Sequence, residues 1–405
     1  MLGIDMKLSP TDQRVELLDI LRGIAIFGMF SVNMTADIWW ADRYGELQAG
    51  SVDFMSLVFV NLFTNGKFIT IFSFLFGIGF YVQSEGRIAG GARVTSFWLR
   101  RLIGLLIIGV VANACTLPAW ILVDYALFGL GLLLLFRMSP RTILVAAISC
   151  FVISTLYATV IPAYWPPVVP AVPAVIDAIH ESAEMVQRNG SFAEISALNI
   201  LHLWEELTRW QYYLGDLDIL GLMLLGLYIG RRGAIWDRDI QIAIARRALP
   251  WLLGIGIFGC ATWVAMENFG FGDESSMYHS FVSALMAWPI GMPTLGLGYA
   301  AAVTVIIGNE KWRRRLAAFA PIGRMALSNY LFTGFVAALI SFQWGLGLYG
   351  KLFPAAGLFI VVALLPIQML ASRWWLSRFI FGPFEWLWRS WTYGRLPPMR
   401  RQLGN

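Results

Sequence analysis

The strongest constraint in this sequence is a succession of apolar stretches, each nearly free of charge and close to the length of a bilayer crossing. A spanning helix needs about 20 mostly apolar residues. Ten segments read this way: 18–39, 67–83, 102–117, 119–136, 142–161, 214–230, 249–266, 281–307, 326–344 and 355–372. The third and fourth are short and meet at Pro118. Hydrocarbon offers no water to backbone N–H and C=O groups, so a helix is how such a segment satisfies its own polar atoms. The expected fold is all-α: a polytopic bundle of about ten transmembrane helices forming one integral membrane domain, 1–405.

Charge gives the bundle an expected orientation. Only 14% of residues are charged and 58% are hydrophobic, against roughly 25% charged in soluble domains. Cytoplasmic loops retain Lys and Arg. With the N-terminus inside, only Arg43, Lys67, Arg188, Arg209 and Lys351 fall outside, and the remaining 25 of 30 basic residues fall inside. Both termini are then cytoplasmic. Residues 1–17 form an inner N-terminus, 18–161 helices one to five, 162–213 an outer loop, 214–372 helices six to ten, and 373–405 an inner tail. The expected location is a bacterial cytoplasmic membrane, with the lipid bilayer as the main partner.

Several classes are excluded. The net charge of +5 comes without long basic runs or a nucleic-acid motif, so nucleic acid is not an expected partner. Cys115, Cys150 and Cys260 lie in apolar segments without a CxxC pair, which indicates neither a metal site nor a disulfide framework. The first apolar run carries Asp19 and Arg22 and lacks a small-residue cleavage site, so it reads as a retained helix. No P-loop, HExxH or GxSxG occurs, and no permanently bound cofactor is expected.

Polar side chains inside spans mark candidate sites, because lipid makes them costly. Asp19 and Arg22, three residues apart, share a face. They either pair structurally, or Arg22 holds a phosphate. Asn33 lies three turns farther along the same stripe. Lys67 follows Asn65–Gly66 at the outer end of the second span, where snorkelling competes with substrate contact. Asp216 and Asp218 open the sixth span, where they suit a helix dipole or act as a base. The histidines His180, His202 and His279 all fall outside, and His279 is the first candidate for a general base. Pro289 and Pro293 break the eighth span, making 288–298 a candidate cavity wall. Asn329 and Tyr330 are candidates to face it. Gly226 and Gly230 form a GxxxG packing signal.

The outer loop opens with PAYWPPVVPAVPA. Two amphipathic helices follow, parted at Asn189–Gly190. In the second, Ile195, Leu198, Leu201 and Leu207 recur beside Trp204 and Trp210, which suits either the lipid interface or a cap on the bundle. The tail interleaves Trp with Arg, the pattern of an inner-surface anchor.

Five stretches resemble the YeiB-like family of bacterial inner-membrane proteins, the domain of unknown function 418: Arg14 to Asn33, Gly66 to Phe80, Leu224 to Gly233, Pro321 to Leu331 and Phe381 to Arg395. The first also resembles transmembrane acyltransferases, including the lysosomal heparan glucosaminide acetyltransferase, in Asp19, Leu21, Arg22, Gly23, Ala25, Met29 and Asn33. That resemblance implies transfer of an acyl group from cytosolic acyl-CoA to an acceptor across the membrane. The sequence departs from the family at Trp120, where relatives often carry Asp, and at Thr333, where they often carry Gln. The expected function is a membrane-embedded acyltransferase acting on a small or lipid-like acceptor. The alternatives are an exporter of a small amphiphile or a non-catalytic membrane partner. Oligomeric state is not legible.

Overall fold

The computed structural model describes residues 16–35, 47–91, 93–116, 120–159, 183–208, 210–233, 236–270 and 277–401. His180, Pro118 and the proline-rich opening of the outer loop lie outside them. Each of the ten expected spans is mainly helical where described, the ninth ending at Ser341 rather than 344. They are α1 (Glu16–Thr35), α3 (Lys67–Ala89), α4 (Val94–Cys115), α5 (Trp120–Leu135), α6 (Pro140–Thr159), α8 (Leu217–Arg231), α9 (Arg238–Phe269), the broken pair α10 (Met277–Leu285) and α11 (Met292–Ile306), α12 (Ala326–Ser341) and α13 (Pro354–Arg378). Among the described residues, eight segments are long and apolar enough to cross a membrane. The helices α5 and α12 have 16 residues each, about 24 Å at about 1.5 Å per residue, which falls short of a full crossing.

Three longer helices lie outside the expected spans, α2 (Val52–Phe63), α7 (Phe192–Thr208) and α14 (Pro383–Tyr393), beside short ones such as Trp210–Gly215, Glu310–Leu316 and Ala320–Arg324. The sequence reading omits α2 because its 12 residues fall below spanning length. Gly66, at φ 76°, turns the chain from α2 into α3. The helix α7 is docked rather than floating. Asn113 Nδ2 donates to Asn199 O at 2.8 Å, and Asn199 Nδ2 donates to Thr116 O at 3.1 Å. Ile195 packs with Phe30, Ala337 and Val361, while Trp204 remains exposed. This segment therefore packs on the helix bundle.

Glycine sets the closest helix contacts. A Cβ on Gly77 would collide with Met223 O, and one on Gly226 with Phe74 O, so α3 and α8 touch backbone to backbone. Between helices in lipid, such small-residue contacts supply the packing that a hydrophobic drive supplies in water. The same device seats the short helix Ala320–Arg324 on α1: Gly323 meets Asp19 O, and Gly23 meets Phe319 O. That contact brings Arg324 beside Arg22.

Neither Pro289 nor Pro293 borders the two cavities found among the described residues, and of the expected wall 288–298 only Leu297 does, in an apolar cavity between α1, α3, α8, α9 and α11. Pro289 lies in a π-helical turn, Met286–Gly291. Gly291 and Gly259 come together there, and Gly256 meets the Leu295 backbone. The widened turn lets α9 press against the broken helix, so its geometry serves packing.

A Gly226→Leu substitution is expected to force α3 and α8 apart and to lower the thermal midpoint in detergent by several degrees. Gly254→Leu, at a position with nothing within 4 Å of an added Cβ, is expected to leave it unchanged. Thermal unfolding followed by intrinsic fluorescence checks both.

Candidate anion-binding cavity

The residue types that make this region distinctive are arginines held inside a helix bundle. A cavity of about 240 Å³ is bordered by Arg22 of α1, Arg101 of α4, Arg324 of the Ala320–Arg324 turn and Arg389 of α14. Against these four guanidinium groups its lining contains one carboxylate, Glu385. Gln83, Tyr125 and Tyr330 add polar groups, and Phe72, Phe76, Leu105 and Leu122 make the rest of the wall apolar.

The tail helix α14 builds much of this site, while Phe384, Leu387 and Trp391 remain on its exposed face. Trp388 Nε1 donates to Arg101 O and Trp391 Nε1 to Arg100 O, each at 2.8 Å. The Arg101 guanidinium lies 3.6 Å from the Trp388 ring centroid and 5.5 Å from that of Trp98. A cation over an indole face recovers part of what leaving water costs. Its Nε is buried without a hydrogen-bond partner, and an unsatisfied charged donor is a standing demand for an acceptor. The Arg389 guanidinium sits 4.6 Å from the Phe381 ring centroid.

Glu385 is spent on structure. Its carboxylate accepts Ser328 N at 3.0 Å and, in a very short contact, Ser328 Oγ. Ser328 Oγ accepts in turn from Phe384 N at 3.1 Å. Burial raises the Glu385 carboxyl above the ordinary glutamate range, and the Ser328 hydrogen bonds partly oppose this. The cavity lining therefore carries more guanidinium than carboxylate groups.

Depth follows from helix registry. Gly109 packs on Leu122 and Val123. It lies eight residues beyond Arg101 on α4, about 12 Å at about 1.5 Å per residue. The cavity thus runs from an arginine-rich mouth up to the first turns of α5. There Tyr125 Oη bonds Ser73 Oγ at 3.0 Å and Ile69 O at 3.2 Å.

Of the residues singled out in the sequence, Arg22 and Tyr330 line this cavity. Asp19, 4% exposed, accepts from Arg22 at 3.3 Å and so sets its position. Asn329 does not face the cavity. Its Nδ2 lies 3.1 Å from Ile322 O, Met325 O and Ser372 Oγ, which fixes the joint carrying Arg324 and Tyr330. Asn33 is half-buried farther up α1 and is not in the lining. Lys67 does not snorkel: it is fully buried, with Nζ 2.6 Å from Asn61 O and 5.7 Å from the Trp263 ring centroid. Pro289 and Pro293 belong to the packed break. His279 is no loop residue but is buried within α10, near Ser283 and its close hydrogen bond to Glu267.

Asp216 and Asp218 join a second group. Ser154 Oγ donates to Gly215 O in a short contact that holds the turn before α8. Asp124 of α5 and Glu206 of α7 lie within electrostatic reach of Asp216. The sequence reading missed Arg101, Arg324, Arg389 and Glu385. The first three counted only toward topology, and nothing local shows that they converge. A usable signal existed, since four of the five family-like stretches supply lining residues: Arg22, Phe76, Arg324 and Arg389 come one from each.

Apolar helices of membrane-crossing length around a buried arginine cluster define a multi-pass helical membrane protein with an internal anion-attracting cavity. Residues 229–395 match the family described as a protein of unknown function, DUF418. The chain is 29% identical over 419 aligned residues to an uncharacterised Bacillus subtilis protein, YxaH, covering 97% of each. It is 24% identical to the uncharacterised Escherichia coli protein YeiB, covering 94% of this chain and 96% of that one. The chain is thus similar to YeiB-like proteins along nearly its whole length, and to the DUF418 family over residues 229–395. No solved structure matches it.

Burial, with the Asp216 charge adding to it, lifts the Glu206 carboxyl from its ordinary 4.5 to about 7. A raised carboxyl means the folded state binds more protons than the unfolded one between those values. Stability is expected to fall as pH rises from about 4.5 to about 7, and Glu206→Gln is expected to flatten that slope. Thermal midpoints across the pH range check it.

Proposed function

We propose that the cavity receives the phosphate-bearing part of a cytosolic acyl thioester, a CoA-type donor, and that the protein transfers the acyl group to an acceptor from the opposite side. In this reading the chain lies in a bacterial cytoplasmic membrane with both ends inside. The arginine-rich mouth then faces the cytosol, where basic residues are retained.

The observation that carries the reading is the imbalance of four guanidinium groups and one structurally engaged carboxylate around a largely apolar cavity. Arginine binds phosphate through paired, charge-assisted hydrogen bonds. Arg101 and Arg389, braced by Trp388 and Phe381, are the proposed phosphate contacts. Arg22, oriented by Asp19, and Arg324 complete the ring. The aromatic wall of Phe72, Phe76 and Tyr330 suits the uncharged arm leading to the thioester. Asp216 and Asp218 lie toward the other end and are the proposed acceptor-side carboxylates. His279, buried in α10 and outside the cavity lining, drops behind them as the base.

Purified protein given isotopically labelled acyl-CoA is expected to transfer or hydrolyse the acyl group. Arg101→Gln and Arg389→Gln are each expected to weaken donor binding about tenfold or more, since a hydrogen bond to a charged group contributes about 1.5–3 kcal/mol. Absence of transfer, hydrolysis and CoA binding together would contradict the reading. Passage of a labelled metabolite through proteoliposomes without chemical change would favour export instead.

A further inference from the structure

We propose that an apolar slot opening between α8 and α9 holds one acyl chain of an acidic membrane phospholipid, with the lipid phosphate at Arg238. The slot is a second cavity, of about 300 Å³, bordered by α1, α3, α8, α9 and α11. Ligand pockets begin at about this size. On α9 it is lined by Gln241, Ile244, Ala248 and Leu252, a spacing that sets them on one helical face. From Gln241 to Leu252 the helix rises about 16 Å at about 1.5 Å per residue. One leaflet contributes about 15 Å of hydrocarbon, half of a core of about 30 Å. The slot thus has the length of a chain in a single leaflet.

Short side chains make the space. Ala245 and Ala248 of α9 and Ala300 and Ala301 of α11 border the slot and leave the gap between the helices unfilled. Farther along α9, Gly256 lies against the Leu295 backbone and Gly259 against Gly291, so there the helices touch. Pro250 stands between the two stretches and removes one rung of the backbone ladder. The helix is tight on one side of Pro250 and gapped on the other.

The lining selects hydrocarbon. Its only polar side chains are Gln241 and Thr304, and Thr304 Oγ1 donates to Ala300 O of its own helix at 2.7 Å. Such a cavity gives water little to bond, whereas an alkyl chain gains dispersion contacts along its length. Access selects the source. Leu225 and Ile229 of α8 and Ala248 and Leu252 of α9 are half-buried, and Ile244 is 47% exposed. Leu21, Leu75 and Ile78, on the inner wall, are at most 3% exposed. Leu75 also borders the arginine cavity, so this buried layer closes one cavity from the other. The occupant enters from the bilayer flank, which favours a lipid over the acyl chain of a thioester held by the arginines.

The end of the slot selects the headgroup. Arg238 stands one turn before Gln241, and its Nη2 lies 2.6 Å from Ile307 O, three residues beyond Thr304. Arg238 is exposed, and among the described residues no carboxylate forms an ion pair with it. The adjacent Asp237 carboxylate accepts from Asp239 N and Ile240 N. Arg313, by contrast, is held by Glu16 and Glu310. A guanidinium with donors to spare at the end of a hydrocarbon slot matches a lipid phosphate.

The inference stands apart from the transferase reading, and lipid capture without any CoA binding would leave it intact. The test places the full chain in nanodiscs doped with phosphatidylglycerol bearing a diazirine in one acyl chain. After illumination, adducts on Leu225, Ile244 and Ala248 are expected to saturate with probe and to be competed by unlabelled phosphatidylglycerol. Adducts on Phe359 and Leu370, exposed on α13, are expected to rise in proportion to probe without competition. Ala248→Phe, which fills the slot, is expected to cut the saturable adducts about tenfold, and Gly254→Phe to leave them unchanged. Ala301→Phe serves if Ala248→Phe loses its monodisperse size-exclusion profile, and competition in the unaltered chain decides if both do. Phosphatidylcholine is expected to compete about tenfold less well, a difference that Arg238→Gln removes. Slot adducts that fail to saturate, or that persist in a well-folded filled variant, would overturn the proposal. So would equal competition by phosphatidylcholine, or displacement by palmitoyl-CoA that Arg101→Gln abolishes, which would give the slot to the thioester.

Discussion

The cavity depends on one contact, the docking of α14 against the first turns of α4. Two indole N–H groups, from Trp388 and Trp391, donate to the carbonyls of Arg101 and Arg100. The Trp388 ring also lies under the Arg101 guanidinium. Taking an ion from water into a low-dielectric interior costs several kcal/mol even after relaxation, on the order of the net stability of a small domain. Hydrogen bonds and an aromatic face offset part of that cost, and the remainder is what an anionic ligand would relieve. Without α14 the arginines would be ordinary interfacial charges.

Glycine supplies the other half of the arrangement. Gly23 and Gly323 allow the Ala320–Arg324 turn to lie on α1, and Asn329 fastens the start of α12 to the same turn and to Ser372 of α13. Arg22 and Arg324 are therefore presented from backbones in contact. Rigid presentation matters because long side chains lose rotamer freedom when they grip a ligand. Four guanidinium groups thus gather around one cavity, with Asp19 and Glu385 set among them as structural partners and Tyr125 and Tyr330 in the wall.

The spanning helices were legible because lipid imposes a length rule on apolar sequence, and the 18–39 and 355–372 runs obey it without ambiguity. The Asp19–Arg22 pair was legible from helical spacing alone. The 12-residue α2 escaped because no bilayer rule applies to it. The tail's part in the cavity was not legible, because alternating Trp and Arg suits a headgroup boundary as well as it suits a docked helix. The packing of Trp391 on Gly104 that separates the two joins residues far apart in sequence. Asp124 and Glu206 were likewise invisible as partners of Asp216, since each lies in a different helix. Lys67 looked like a snorkelling residue until Asn61, six positions earlier, was seen to take its ammonium group.

The most direct measurement is a density map of the protein in lipid nanodiscs with saturating CoA. The account predicts density for a phosphate-bearing ligand against Arg101 and Arg389, with α14 in place over it. An empty arginine cavity under those conditions, or CoA bound to another surface of the bundle, would contradict it.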